Sequence, residues 1–194
     1  GQAAASAPPF GRRPRRGWRR PGPGGAMNPV ASVRAFVGVG ANLGDARAQV
    51  LAGIAALREL PGARVTACSS LYASTPVDAP GPDYVNAVVE LHTALPADAL
   101  LRELHAIEAR HGRERSTPNA PRTLDLDLLL YGDERSDDPR LALPHPRLHL
   151  RAFVLKPLLE IAPAIEAPGL GPLAQWLQRV RGQRTVLLGA KETP

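Results

Sequence analysis

Between residues 124 and 128 the chain alternates leucine with aspartate: Leu124-Asp125-Leu126-Asp127-Leu128. A period of two is that of a β-strand, whose successive side chains leave opposite faces. The alternation therefore predicts a strand over 123–131. Leu124, Leu126 and Leu128 turn into a core, and Asp125 and Asp127 project together with their Cα atoms roughly 6–7 Å apart. Two carboxylates beside leucine-rich surface are costly to desolvate, so something positive belongs between them. Mg²⁺ suits the place: it takes one or two protein carboxylates and completes its octahedron with water and phosphate oxygens. Two such ions can bridge a nucleotide during phosphoryl transfer. No His or Cys stands at zinc-like spacing around the pair. The plain alternative is an amphipathic strand whose aspartates face water and pair with arginine. Two observations count against it. Strands disfavour aspartate, and Arg113, Arg115 and Arg122 lie just upstream, where they can grip a polyphosphate held by the ions.

The other periodicities surround this strand in a definite order. Residues 33–39 form a β-rich run, 40–45 a turn, and 46–60 a helix with Asp45 as its N-cap and Pro61-Gly62 as its stop. A strand is expected over 64–72, a proline-rich loop over 74–83, and a strand over 84–92 with Val85, Ala87, Val89 and Leu91 on one face. A helix over 96–111 carries the stripe Leu100, Leu101, Leu104 and Ile107 and stops at Gly112. An Arg-rich loop over 112–121 leads into the Leu/Asp strand. The order β-α-β-β-α-β is that of a ferredoxin-like α+β sandwich, an antiparallel sheet with helices packed on it. From residue 141 the tail reads as short helical pieces, of which 172–181 is the clearest.

Charge narrows the function. The net charge is +6, but residues 1–26 hold six arginines and no acid, so the remainder is near neutral and is not a basic nucleic-acid-binding domain. The stretch 1–26, rich in Gly, Pro, Ala and Arg, is expected to be a disordered extension. It lacks the apolar stretch of a signal peptide, and its Pro and Gly break the helix of a transit peptide. Met27 is the expected natural start and 27–194 the domain; the alternative is an Arg-rich arm for polyanions. Hydrophobic residues make up 44% of the chain, enough for a core, without an apolar run of membrane-spanning length. The single cysteine, Cys68, excludes an intrachain disulfide and fits a reducing cytoplasm. No Walker-type phosphate loop is present, and the turn at 40–45 reads better as a strand-to-helix connection than as a phosphate cradle.

Aromatic residues are only 4% of the chain, so Tyr84 and Phe153 stand out as stacking surfaces for a flat heterocycle. Asn86 lies on the same strand face as Tyr84 and offers donors and an acceptor to a ring edge. Taken singly, each also reads as an ordinary core or turn residue. His145, set between Pro144 and Pro146, is rigidly presented, and Arg151 follows close by.

These segments together closely resemble the 6-hydroxymethyl-7,8-dihydropterin pyrophosphokinase family. The matching pieces are Gly38-Val39-Gly40-Ala41-Asn42-Leu43-Gly44-Asp45, Tyr72 to Pro76, Pro82-Asp83-Tyr84-Val85-Asn86-Ala87, Ile107-Glu108, Pro121-Arg122-Thr123-Leu124-Asp125-Leu126-Asp127, and Pro144-His145 through Arg151-Ala152-Phe153. They stand in the family's order over about 33–161. The resemblance implies transfer of the terminal pyrophosphoryl unit of ATP to the pterin's hydroxymethyl group, with release of AMP, in folate biosynthesis. It implies two Mg²⁺ ions on Asp125 and Asp127. Arg113 and Arg122 would grip the polyphosphate and its developing charge, His145 and Arg151 would complete that clamp, and Arg115 would hold the nucleotide. Leu101, His105 and Glu108 fall where the family lines its ATP site. Tyr84 and Phe153 would sandwich the pterin, with Ser74, Thr75, Val77, Asn86 and Asp125 also on the pterin side. The chain departs from common family residues at His105 (Gln), Asn119 (Trp) and Pro146 (Tyr).

The expected protein is thus a Mg-dependent diphosphokinase, a cytoplasmic monomer with small-molecule substrates and neither nucleic-acid nor membrane partner. The loops 74–83 and 112–121 are expected to close over the substrates. Three rivals make different demands. A binding module on the same fold has no use for the aspartate pair. A nucleic-acid binder would depend on the arginine tail. A metal-dependent phosphohydrolase would turn over ATP without pterin.

Overall fold

The computed structural model describes residues 31–76, 80–112 and 123–189. The expected extension 1–26, Val77, Arg113, Arg115, Asn119 and Arg122 lie outside the described residues, as do parts of both loops expected to close. The elements run β1 (Val33–Ala41), α1 (Ala46–Arg58), β2 (Ala63–Cys68), β3 (Leu71–Ser74), β4 (Tyr84–Thr93), α2 (Ala97–Arg110) and β5 (Asp125–Tyr131). A 3₁₀ turn (Leu148–Leu150), α3 (Ala152–Ile161), the short pair β6 (Glu166–Ala167) and β7 (Gly171–Pro172), a 3₁₀ helix (Leu173–Val180) and β8 (Thr185–Gly189) follow. The main sheet is antiparallel in the order β5-β1-β4-β3-β8, with β2 also paired to β4. This is the expected α+β sandwich. Among the described residues no helix is long and apolar enough to cross a membrane.

Binary patterning decides which face each strand buries. Ala35, Val37, Val39 and Ala41 of β1, Ala87, Val89 and Leu91 of β4, and Leu126 and Leu128 of β5 pack with Val50, Ile54 and Leu57 of α1 and Leu100, Leu104 and Ile107 of α2. Each such leucine, removed from water, contributes about 1.5–3 kcal/mol. Asp45 caps α1 as expected, its carboxylate accepting from Ala48 N at 2.9 Å.

The other face carries a second core. Phe36, Val88, Leu129 and Leu130 pack beneath Val154, Leu155 and Leu158 of α3 and Leu173 and Val180 of the 3₁₀ helix. A register shift between β1 and β5 puts both Leu129 and Leu130 on this side. The two cores hold the sheet between them, and the second covers only part of its face.

Three expectations need correction. The strand expected over 64–72 is two strands, parted at Ser69 and Ser70. Ser69 Oγ accepts from Val88 N at 2.9 Å, and Ser70 N donates to both oxygens of Glu160 at 3.1 and 3.2 Å. Side-chain oxygens thus replace ladder partners at that point. Gly40 belongs to β1 and not to the turn. The tail contains, besides helical pieces, the strand β8, which obtains its ladder only by pairing with β3.

Helix α1 approaches the sheet through Gly53. A Cβ built there would lie 2.8 Å from Leu124 Cδ1 and 3.3 Å from Val39 Cγ1. Gly53→Val should therefore overpack the layer behind Leu124 and cost about 1–3 kcal/mol, measured by denaturant unfolding; a variant as stable as wild type would refute this packing account.

Candidate functional site

The uncovered part of the second face is built on the even-numbered positions of β1. Phe36 buries itself there under α3, but Gly38 and Gly40 leave no side chain. The register sets Asp125 of β5 beside Gly40, Gly40 beside Asn86 of β4, and Asn86 beside Tyr72 of β3. One row across four strands thus reads carboxylate, gap, amide, phenol. Asp125 and Asn86 are two strands apart, about 10 Å at the backbone. The next row sets Asp127 beside Gly38 and Gly38 beside Val88.

The gap opens a cleft of about 780 Å³. Of the residues singled out from the sequence, Ser74, Thr75, Tyr84, Asn86, Asp125, Asp127, His145, Arg151 and Phe153 line it together. Leu101, His105 and Glu108 do not. They share one stripe of α2, spaced i, i+4 and i+7, behind the edge strand β5. Glu108 is 1% exposed, and its Oε1 accepts from Leu126 N at 2.8 Å, between the two aspartates. That bond ties α2 to the strand that carries the carboxylate pair.

Asn86 is oriented by the protein. Its Nδ2 donates to Ser74 Oγ at 2.8 Å and approaches Tyr72 O at 3.4 Å. Its Oδ1 is thereby turned over Gly40, where a Cβ would meet it at 3.2 Å. Tyr72 is held in turn. Its hydroxyl donates to Glu160 Oε2 of α3 at 2.7 Å, and burial together with that carboxylate pushes its pKa upward, so it remains a donor.

His145 stands over the aspartates. Its backbone N donates to Leu129 O at 2.9 Å, and its Nε2 lies 4.0 Å from Asp127 Oδ2. Burial lowers its pKa to about 4, helped by the charges of Arg151 and Arg147 and opposed by Asp125. Its Nδ1 accepts from Arg147 N at 3.1 Å, so the neutral ring carries its proton on Nε2, toward Asp127. The Arg151 guanidinium lies 5.4 Å from the centre of the Phe153 ring.

Among the described residues no three His, Cys, Asp or Glu side chains gather to hold a metal. The donor set at the cleft is the hard-oxygen pair Asp125 and Asp127. It suits a cation that fills its remaining positions with water and ligand oxygens. Sequence reasoning had missed Gly38, Gly40 and Arg147 as lining residues. The glycines did leave a signal, because alternate Gly inside a strand marks close approach to its surface.

Comparison with known proteins agrees with this geometry. The family model described as 7,8-dihydro-6-hydroxymethylpterin-pyrophosphokinase (HPPK) matches residues 36–163. The chain is 46% identical over 129 residues to the 2-amino-4-hydroxy-6-hydroxymethyldihydropteridine pyrophosphokinase of Synechocystis sp., covering 66% of this chain and 66% of that one. The Pseudomonas aeruginosa protein of the same name is 45% identical over 136 residues, 70% of this chain and 84% of its own. The Haemophilus influenzae one is 36% identical over 157 residues, 80% of this chain and 98% of its own. Among solved structures, the fold resembles an HPPK-DHPS in complex with substrates (TM-score 0.60, 11% identity, 77% of this chain and 43% of that one). It also resembles Plasmodium falciparum HPPK-DHPS with pterin and p-hydroxybenzoate (TM-score 0.58, 13% identity, 77% of this chain and 44% of that one). The chain spans under half the length of those two solved chains. With the family model covering well over half of its residues, and relatives aligned along most of their own lengths, the chain belongs to the 7,8-dihydro-6-hydroxymethylpterin-pyrophosphokinase family of folate biosynthesis.

Proposed function

We propose that this chain transfers pyrophosphate from ATP to the hydroxymethyl oxygen of 6-hydroxymethyl-7,8-dihydropterin and releases AMP, with two Mg²⁺ ions held by Asp125 and Asp127. The observation that carries this reading is the row Asp125–Gly40–Asn86. A carboxylate pair faces an amide acceptor across a gap that no side chain fills.

A flat ring in that gap lies between Tyr84 and Phe153 and presents its N–H edge to Asn86 Oδ1. Ser74 enforces this choice, because it engages the amide nitrogen and leaves the oxygen for the ligand. A pterin has such a donor edge, and a site built for that edge rejects rings without it, since the buried amide would then go unpaired. The hydroxymethyl group of such a ring points away from Asn86, toward the aspartates. Bound there, Mg²⁺ supplies charge neutralisation on the polyphosphate and lowers the pKa of the attacking hydroxyl. The hydroxymethyl oxygen gives up its proton to water and bonds to the β-phosphorus in line, as the bond from that phosphorus to the α,β-bridging oxygen breaks and the oxygen leaves with AMP.

His145 serves this step as a donor and not as a base. Its lone pair at Nδ1 is already engaged by Arg147 N, and its Nε2–H is available to a phosphate oxygen. Arg151 and Arg147 add positive charge on the same wall of the cleft. Arg113, Arg115 and Arg122 are assigned to the polyphosphate on their chemistry and their place in the sequence, and Leu101, His105 and Glu108 to the nucleotide around the edge of β5. We further assign the protein to the cytoplasm as a monomer; its lone cysteine, Cys68, is buried, which suits a reducing compartment.

The assignment is tested by AMP release from ATP and Mg²⁺ on the full chain, with and without the pterin. AMP should require the pterin, and Asp125→Ala and Asp127→Ala should each lower the rate at least about 100-fold. ATP turnover indifferent to pterin would replace this reading with a phosphohydrolase. Phe153→Ala should raise the pterin KM about 10-fold with a smaller change in the ATP KM, from the loss of one stacking face. Equal changes in both constants would remove Phe153 from the pterin subsite.

The neutrality of His145 has a consequence for the metal-free protein. An unfolded histidine protonates near about pH 6.5, and folded His145 only near about 4. Between these values the unfolded chain binds more protons, so acidification favours unfolding. The penalty is absent above about pH 6.5 and reaches roughly 3 kcal/mol below about pH 4. In EDTA, denaturant unfolding at about pH 7 and about pH 4.5 should show His145→Gln losing less stability on acidification than wild type. An identical loss in both would mean that the ring is protonated in the fold.

A further inference from the structure

Arg151 is the single residue between the 3₁₀ turn Leu148–Leu150 and α3. Its backbone is extended, with φ −126° and ψ 116°, so the two helical hydrogen-bond patterns are interrupted there. At this joint the carbonyl of Leu150 ends one segment and the N–H of Ala152 opens the next, and helix termini leave such groups without a helical partner. One side chain takes both. Gln183 Oε1 accepts from Ala152 N at 2.8 Å, and Gln183 Nε2 donates to Leu150 O at 2.8 Å. A primary amide can accept and donate at the same joint. The two backbone partners also dictate which end of the amide faces which.

Gln183 is itself held from both directions. Its backbone N donates to Val180 O at 2.9 Å, at the end of the 3₁₀ helix. Two residues on, Thr185 pairs with Ser74 of β3, and its carbonyl accepts from Lys156 Nζ of α3 at 3.1 Å. Gln183 also borders a side cavity of about 240 Å³ that shares Ser74, Thr75, Pro76 and Phe153 with the main cleft. The neighbouring pair Arg184–Asp83, at 2.8 Å, is largely exposed and adds little, so the weight of this strap rests on the amide. The family match ends at residue 163, so Gln183 lies outside it.

We propose that Gln183 is a positioning residue for Arg151: it fixes the peptide groups on either side of that residue and so aims the guanidinium into the cleft. The inference rests on the reading of Arg151 as a polyphosphate ligand. Gln183→Leu keeps the bulk and deletes both bonds. It should lower kcat/KM for ATP about 10-fold in pterin-dependent AMP release. In an Arg151→Ala background the same substitution should change kcat/KM less than about 2-fold while still lowering the unfolding midpoint, since its target is gone but its structural bonds are not. Gln183→Ala covers the case in which the leucine variant does not fold, and Gln178→Leu, on the exposed side of the 3₁₀ helix, serves as the unchanged control. An undiminished kcat/KM in both Gln183 variants, or an equal loss with and without Arg151, would overturn the proposal. The wild type run in parallel separates the two readings. Pterin-dependent AMP from wild type with indifferent Gln183 variants sinks the strap alone, whereas no AMP from folded wild type overturns the pyrophosphokinase reading and the strap with it.

Discussion

Strand β1 is hydrogen-bonded on both sides, to β4 and to β5, and the site depends on that double ladder. Register in a sheet is quantised: a slip of one residue would turn every side chain to the opposite face. Here the register is pinned by burial, because Ala35, Val37, Val39 and Ala41 must all reach the core under α1 and α2. With it pinned, Gly38 and Gly40 have only one place to be, between the aspartates on one neighbour and Asn86 and Val88 on the other. The cleft is therefore a consequence of packing on the reverse side of the sheet.

Two carboxylates, the buried Glu108 and the half-buried Glu160, do much of the joining between layers. Glu108 reaches from α2 to the backbone of Leu126, and Glu160 reaches from α3 to Ser70 and Tyr72. Each supplies acceptors where the ladder supplies none. Removing such a partner leaves a buried donor unsatisfied at about 1–3 kcal/mol. Glu108 stands behind the Asp-Leu-Asp segment, and Glu160, on the cleft's own face of the sheet, holds the strand that orients Asn86. Stability and site geometry here share the same bonds.

The electrostatics of the cleft are graded from one wall to the other. Asp125 and Asp127 rise from the edge strand, and Arg147, Arg151 and His145 come from the segment that crosses above it. His145 is kept neutral mainly by burial and by its arginine neighbours, so it adds a directed N–H without adding charge. A polyanion with bound cations fits between two such walls better than either ion would alone.

Much of this was legible in the sequence, for a local reason. The Leu/Asp alternation, the helical stripes of α1 and α2 and the Asp45 cap are short-range patterns, and their period names both the element and its buried face. They sufficed for the α+β order, the shared face of Asp125 and Asp127, and the side of the sheet to which Asn86 belongs. Strand β8 was not legible, because a strand without a partner is only an apolar run, and β3 lies more than a hundred residues upstream. The break at Ser69 and Ser70 depended on Glu160, 90 residues from Ser70 in the chain. The same holds at the site. The chemical types of Asp125, Asp127, His145, Arg151 and Phe153 were written in the sequence. That Gly40 is the space between them, that Glu108 supports Leu126 from behind, and that Gln183 braces Arg151 were decided by the tertiary structure, since hydrogen bonds and cavities between distant segments exist only after register and packing bring them together.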